Sequence, residues 1–349
     1  MNVGIVNVHC PFVWGGAEYL AESLAERVRG RGHRAELIRI PFQWNPEDQV
    51  PAHMLACRLM EVRGAGMDLM IAHKFPAYLC PFPNKKLWLF HQFRQVYDLW
   101  GTPLGGLPDT PAARGLRKVV AAADADTFAQ VKGNGLFTNS KIVADRMKRF
   151  NGVTVDEVLY PPLNTPEMFG PGEFGDYFFY PSRMGLMKRQ HVAVEALRHT
   201  RTPVKLVLAG KPDSDVYGED LNRKIDSWGL RDRVTSLGFV SEADKAKWMR
   251  GACGAVYLPV DEDSYGFVTL EAFHSHKAVL TFTDSGGTGE VIEHGRNGLI
   301  LDPTPEALAA GMDQLMADKR RAREMGEEAF ATLARHRIDW EYILDRLVG

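Results

Sequence analysis

An α/β fold built from two doubly wound parallel sheets is what this sequence predicts, on three observations. Short, apolar, β-branched runs alternate with amphipathic stretches along most of the chain. The alternation is interrupted by a segment rich in proline and glycine and then restarts. At 349 residues the chain is also about twice the size that one hydrophobic core usually serves.

Each element has its own signature. Val3–Val8 is a short apolar run of the kind buried in a parallel sheet, and Gly15-Gly16 makes the turn after it. In Glu18–Arg29 the residues Leu20, Leu24 and Val28 share one face while Glu22, Glu26, Arg27 and Arg29 lie on the other, and Gly30 and Gly32 end the helix. Further strands are expected at Ala35–Ile40, Leu69–Ala72, Lys86–Phe90 and Gly135–Thr138, with helices at Thr110–Ala123 and Ser140–Phe150. Tyr160–Asp176 carries four prolines and three glycines without periodicity and reads as a linker. Beyond it come strands at Tyr177–Pro181, Lys205–Ala209, Val234–Leu237, Gly254–Leu258 and Ala278–Phe282. Helices are expected at Gln190–His199, Gly218–Trp228, Glu242–Gly251 and Thr269–Ser275. The expected organisation is a Rossmann-like domain over 1–165, a second over 166–335, and a C-terminal helix within 336–349. The amphipathic set Trp340, Ile343, Leu344 and Leu347 suits that helix to pack back on the first domain.

Composition narrows the class. With 45% hydrophobic and 25% charged residues the chain is an ordinary globular protein, which excludes disorder as its main state. Cys10, Cys57, Cys80 and Cys253 are far apart and lack metal-binding spacing, so they are expected as reduced thiols in a cytoplasmic protein. The start of the chain has no signal-peptide pattern, and no window of 18 apolar residues suggests a membrane span. Residues 1–160 hold 19 Lys/Arg against 15 Asp/Glu, the remainder 23 against 29. A positive first half suits a phosphate-bearing partner or the inner face of a membrane. The Gly-x-Gly-x-x-Gly fingerprint is absent after the first strand, and so is a Walker A loop, which argues against a nicotinamide dehydrogenase and a P-loop kinase.

The stretch Asp261-Glu-Asp-Ser-Tyr-Gly-Phe-Val-Thr-Leu-Glu-Ala-Phe273 runs from a strand into a helix. Gly266 and the peptide groups of Phe267, Val268 and Thr269 are placed to offer N–H donors to a phosphate, reinforced by the helix dipole. One turn on, Glu271 can accept two hydrogen bonds from a vicinal diol such as a ribose, and Asp263 can reach hydroxyls beyond the phosphates. An N-terminal cap with one buried glutamate is the structural alternative. At the head of the second domain, Tyr180-Pro-Ser-Arg-Met-Gly-Leu-Met-Lys188 offers Arg183 and Lys188. Two fixed cations can stabilise a departing nucleoside diphosphate without a metal.

These residues resemble the retaining glycosyltransferases of family 4. The family pattern Glu-Gly-Phe-Gly-x-x-x-x-Glu matches Asp263 to Glu271 in spacing, with Asp263 one methylene shorter than the usual glutamate and Glu262 as its neighbour. The family's Arg-x4-Lys matches Arg183 and Lys188. Asp284-Ser-Gly-Gly-Thr-Gly-Glu-Val-Ile-Glu-His-Gly-Arg-Asn-Gly is similar to its Gly-Gly-x-x-Glu-x-Ile segment, with Gly286-Gly287 bringing backbone close to the donor or to a neighbouring loop. The resemblance covers residues 177–303 strongly and the first domain loosely. It implies a GT-B fold, two facing Rossmann-like domains with a cleft between them, and a UDP- or GDP-sugar as donor substrate, with no cofactor and no bound metal.

For single residues, the resemblance implies a ribose contact at Glu271, a sugar contact at Asp263, a base contact near Val240, and diphosphate or acceptor contacts at Gly15 and Gly16. It also implies contact between His91 and the transferred sugar; His73, Lys74 and Arg94 are further candidates for acceptor binding. The implied activity is transfer of a hexose, with retention, to a hydroxyl of a glycan or lipid-linked acceptor in polysaccharide assembly. A non-catalytic nucleotide-sugar sensor and a sugar-nucleotide epimerase are the alternatives.

Overall fold

The structure, a computed structural model, describes residues 1–12, 15–61, 66–102, 105–133, 135–262 and 264–349. It divides into two compact units, one formed by Met1–Pro161 with Asp339–Gly349 and the other by Pro162–Ile338. The division falls at Pro161, a few residues before the expected 165, within the proline-rich stretch. The segment that joins the first unit begins at Asp339 rather than 336.

In the first unit β1 (Asn2–His9), α1 (Gly16–Gly30), β2 (Arg34–Pro41), α2 (Val50–Leu59), β3 (Leu69–Lys74), β4 (Lys85–His91), α3 (Pro111–Val131), β5 (Leu136–Thr138), α4 (Lys141–Asn151) and β6 (Glu157–Val158) follow in order. The strands form one sheet in the order β2-β1-β3-β4-β5-β6, every pairing parallel. Ile5 and Val6 of β1 and Leu87, Trp88 and Leu89 of β4 are fully buried, which is why these runs read as continuous apolar strands rather than alternating ones. The Trp88 indole N–H donates to the Leu159 carbonyl at 2.9 Å, satisfying its polar atom inside the core.

The second unit contains β7 (Tyr177–Pro181), α5 (Gln190–Ala196), β8 (Lys205–Ala209), α6 (Asp215–Ser227), β9 (Val234–Ser236), α7 (Glu242–Gly251), β10 (Gly254–Val256), α8 (Phe267–His274), β11 (Val279–Phe282), β12 (Gly298–Leu301), α9 (Pro305–Ala317) and α10 (Lys319–Arg335). Its all-parallel sheet runs β12-β11-β10-β7-β8-β9. The strand order therefore reverses between β7 and β10, which opens a crevice at their carboxyl ends.

The last helix, α11 (Trp340–Leu347), belongs to the first unit. Asp339 caps it, accepting from the Tyr342 N–H at 2.7 Å. Trp340 meets Trp88 edge to face at 6.4 Å, and the Arg27 guanidinium lies 5.9 Å from the Trp340 ring centre. Lys86 Nζ donates to the Arg346 carbonyl at 2.8 Å, and Arg346 pairs with Glu157 at 2.7 Å. No described helix is long and apolar enough to cross a membrane.

Candidate nucleotide-sugar site

The loop leaving β7 carries Arg183 and Lys188, and the loop leaving β10 leads into α8 and Glu271, so both border the crevice where strand order reverses. Lys188 Nζ bonds Glu262 and donates to the Tyr257 hydroxyl at 3.1 Å, with the ammonium 5.2 Å from the ring centre. Burial, then the Glu262 carboxylate, pushes the Tyr257 phenol well above its ordinary range, so it stays neutral. Tyr180 ties the same loops together: its hydroxyl donates to the Lys188 carbonyl and accepts from the Leu258 N–H at 2.9 Å. Arg183 is mostly exposed and pairs with Asp213 at 2.9 Å. The two predicted cations thus share a loop but differ in setting, one solvated and one packed against an aromatic ring.

Arg189, which the sequence reading passed over, is the buried cation of this region. It sits in the left-handed conformation at φ 55°, grips Asp284 with two bonds of 2.7 and 2.8 Å, and donates to the Leu258 and Pro259 carbonyls at 2.7 Å each. It fastens the loops after β7, β10 and β11 to one another.

Gly266 precedes α8 at φ 71°, and a Cβ there would fall 2.3 Å from a Tyr257 ring carbon. Only glycine fits this turn. Phe267 and Val268 open the helix. Thr269 corrects the expectation: its N–H donates to the Gly266 carbonyl at 3.1 Å, its hydroxyl to the Tyr265 carbonyl at 2.6 Å, and the residue is fully buried. It closes the turn instead of facing a ligand. Gly286 and Gly287 also resolve to one role, since a Cβ on either would strike Glu262 or Ser264. They admit the neighbouring loop, whose Glu262 carbonyl accepts from the Gly287 N–H at 2.8 Å. Asp263 lies outside the described residues. Val240 is half-buried between the end of β9 and Ser241, the cap of α7.

Glu271 is buried on α8. Its Oε1 accepts from Lys245 Nζ of α7 at 2.6 Å, while Oε2 is enclosed without a hydrogen-bond partner. Burial raises its pKa, and the Lys245 ammonium opposes that rise. An orphaned carboxylate oxygen is costly unless something donates to it. Lys245 was not found from the sequence, because 26 residues separate it from Glu271 and only the packing of α7 on α8 joins them.

In the first unit the predicted residues lie at the carboxyl ends of β1, β3 and β4. Gly15 precedes α1, and its N–H donates to Glu18 Oε2 at 3.1 Å, while Gly16 is the first residue of the helix. The Gly15 N–H, expected to face a ligand, is taken by the helix's own capping glutamate. Glu18 in turn pairs with Lys74 at 2.9 Å, with both side chains mostly buried. His91 ends β4 half-buried, its Nδ1 2.8 Å from the Gln92 carbonyl. His73 is fully buried, stacked 4.4 Å from Phe90, with neither ring nitrogen partnered. It is a core residue rather than an acceptor contact. Arg94 pairs with Asp98 at 2.7 Å. Among the described residues no cluster of His, Cys, Asp or Glu is arranged to hold a metal ion.

Residues 169–332 match the family described as glycosyl transferases group 1. The D-rhamnosyltransferase WbpZ of Pseudomonas aeruginosa is 28% identical over 205 residues, 56% of this chain and 51% of that protein. A D-inositol 3-phosphate glycosyltransferase of Xylanimonas cellulosilytica is 27% identical over 260 residues, 68% of this chain and 59% of that protein. The matches thus span about half the length of these curated relatives. Among solved structures, Anabaena HepE in complex with UDP and glucose superposes with a TM-score of 0.70 at 18% identity over 99% of both chains. Sucrose-phosphate synthase from Thermosynechococcus elongatus gives 0.73 at 16% identity over 97% of this chain and 96% of that one. These likenesses define the fold as GT-B, and the sequence matches support the glycosyltransferase superfamily.

Proposed function

We propose that this chain is a retaining, metal-independent hexosyltransferase that uses a UDP- or GDP-sugar and a hydroxyl of a glycan or lipid-linked acceptor. The observation that carries the reading is Glu271: a buried carboxylate with one oxygen unpartnered, beside the strand-order reversal, behind a helix start that only glycine can turn. A ribose diol supplies the hydroxyl donors such an oxygen lacks. The similarity to group 1 glycosyl transferases over 169–332 and the fold shared with a UDP-bound neighbour support the same assignment.

In this reading the diphosphate meets the start of α8 and the cations of the β7 loop, Lys188 exchanging Glu262 for a phosphate oxygen. The acceptor hydroxyl attacks the anomeric carbon on the face from which the leaving group departs. The bond from that carbon to the phosphate oxygen breaks, and the leaving oxygen takes the acceptor proton. Arg183 and Lys188 balance the charge on the diphosphate. Asp263 and His91 contact the sugar.

The test is incubation of the protein with UDP- and GDP-sugars and a panel of hydroxyl acceptors, following nucleoside diphosphate release and the anomeric configuration of the product by NMR. Transfer with retained configuration is expected. An inverted product, or epimerisation of donor in the absence of acceptor, refutes the assignment. Donor binding without turnover across the panel identifies the sensor instead.

A further inference from the structure

The pairing between α7 and α8 assigns a task to Lys245 beyond the contacts described so far. We infer that Lys245 is the positioning residue for Glu271: it holds one carboxylate oxygen so that the other is presented, ionised, to the two ribose hydroxyls of a nucleoside diphosphate. The inference rests on the proposed donor site and deepens it.

The geometry is asymmetric in the way such a task requires. Lys245 Nζ lies 2.6 Å from Glu271 Oε1 and 2.9 Å from Glu242 Oε2, so the ammonium is held between a buried carboxylate and a solvated one on its own helix. The Glu271 side chain is 6% exposed and that of Lys245 17%. Three rotatable bonds link the Glu271 backbone to its carboxyl group, and Oε2 has no other described partner. Without Lys245 the carboxylate would be free to turn, and burial would favour its protonated form. A protonated carboxyl donates one proton and loses half of its capacity to accept from a diol. Among the described residues, Lys245 and Glu242 from α7 bear on Glu271, as does Tyr257 from the strand side, whose buried phenol stays neutral. Lys245 is the cation among them. Burial lowers its proton affinity, but the two carboxylates outweigh that and keep it charged.

The experiment is calorimetric titration of UDP and GDP, and of their 2′,3′-dideoxy analogues, into the full chain and into Lys245→Met, Lys245→Arg, Glu271→Gln and the Lys245→Met/Glu271→Gln double variant, each checked for an unchanged thermal transition. Lys245→Met is expected to lose about tenfold in affinity for the nucleotide that wild type prefers, the equivalent of one charge-assisted hydrogen bond. Its affinity should recover as the pH is raised and the carboxyl group ionises, whereas wild type stays flat. Lys245→Arg should restore most of the binding. The dideoxy analogues should bind wild type and Lys245→Met alike, and adding Lys245→Met to Glu271→Gln should change nothing further. Unchanged binding by Lys245→Met overturns the inference, as does an equal loss for the dideoxy nucleotides or an undiminished loss in the Glu271→Gln background. If Lys245→Met does not fold, failure of Lys245→Arg to bind overturns it as well. Wild type that binds neither nucleotide removes the donor-site reading and this inference with it.

Discussion

Lys188 and Arg183 leave the same strand, yet their surroundings give them unequal weight. An ammonium packed over the Tyr257 ring and paired with Glu262 is already placed, whereas an exposed guanidinium paired with Asp213 is screened by solvent. Lys188→Ala should therefore lower kcat/KM by the equivalent of about 2–4 kcal/mol, and Arg183→Ala by less. Turnover should persist after exhaustive chelation; its loss to EDTA with recovery on adding Mg²⁺ or Mn²⁺ would show that these cations do not carry the charge. Glu271→Ala should weaken a plain nucleoside diphosphate as well as its sugar ester, by about 1.5–3 kcal/mol, because the ribose is common to both. Asp263→Ala should spare the plain diphosphate and weaken the ester. Equal losses in a four-way calorimetric comparison would reverse these assignments. Gly266→Ala tests the turn itself: its φ of 71° and the Tyr257 ring at 2.3 Å from the added methyl should together cost about 2–4 kcal/mol of stability, read as a lowered Tm.

At the level of elements, α11 is a lid on the Trp88 face of the first sheet. Trp340 is 7% exposed and Trp88 fully buried, so Trp340→Ala should leave a void beside an indole and cost about 3–5 kcal/mol, seen as a fall in the unfolding transition of the first unit. An unchanged transition would mean that α11 is dispensable for that core. The amphipathic set in this helix was legible because a narrow apolar stripe has one period. The same logic found β7, β8 and α7 with the observed boundaries, since each is a clean apolar or capped run. It missed α2, whose buried residues Val50, Met54 and Cys57 are interleaved with exposed Leu55 and Leu59, which blurs the stripe. It missed β6, because two half-buried residues have no periodicity. At the site, the glycine turn and Glu271 were legible from local spacing. Lys245 and Arg189 were not, because their partners come from distant segments. The inward turn of Thr269 was hidden for a different reason: a helix-start threonine can cap its own turn or face a ligand, and only packing decides.

Across the whole molecule, the first unit buries two titratable groups whose proton linkage has opposite sign. Asp124 is enclosed on α3, accepting from the Tyr97 and Tyr78 hydroxyls at 2.7 and 2.8 Å, and burial raises its pKa to about 7 against those hydrogen bonds. The folded state therefore binds this proton more tightly than the unfolded chain does, and the stability it contributes is lost as pH rises from about 4 to 7. His73 is the reverse: burial, aided by the Lys74 charge, lowers its pKa to about 3, so folding excludes its proton and the contribution is lost as pH falls from about 6.5 towards 3. Each group sets a slope of at most about 1.4 kcal/mol per pH unit, and between pH 4 and 6.5 the two slopes oppose each other. Each single substitution removes one of these two opposing slopes from the wild-type profile. Asp124→Asn leaves the histidine limb, so its Tm relative to wild type should climb with pH. His73→Phe leaves the aspartate limb, so its advantage over wild type should grow as the pH falls. Thermal unfolding of the three full-length chains at about half-unit steps of pH decides the matter. Difference curves that stay level would mean that both groups ionise as freely in the folded unit as in the unfolded chain, and that their enclosure is not maintained in solution.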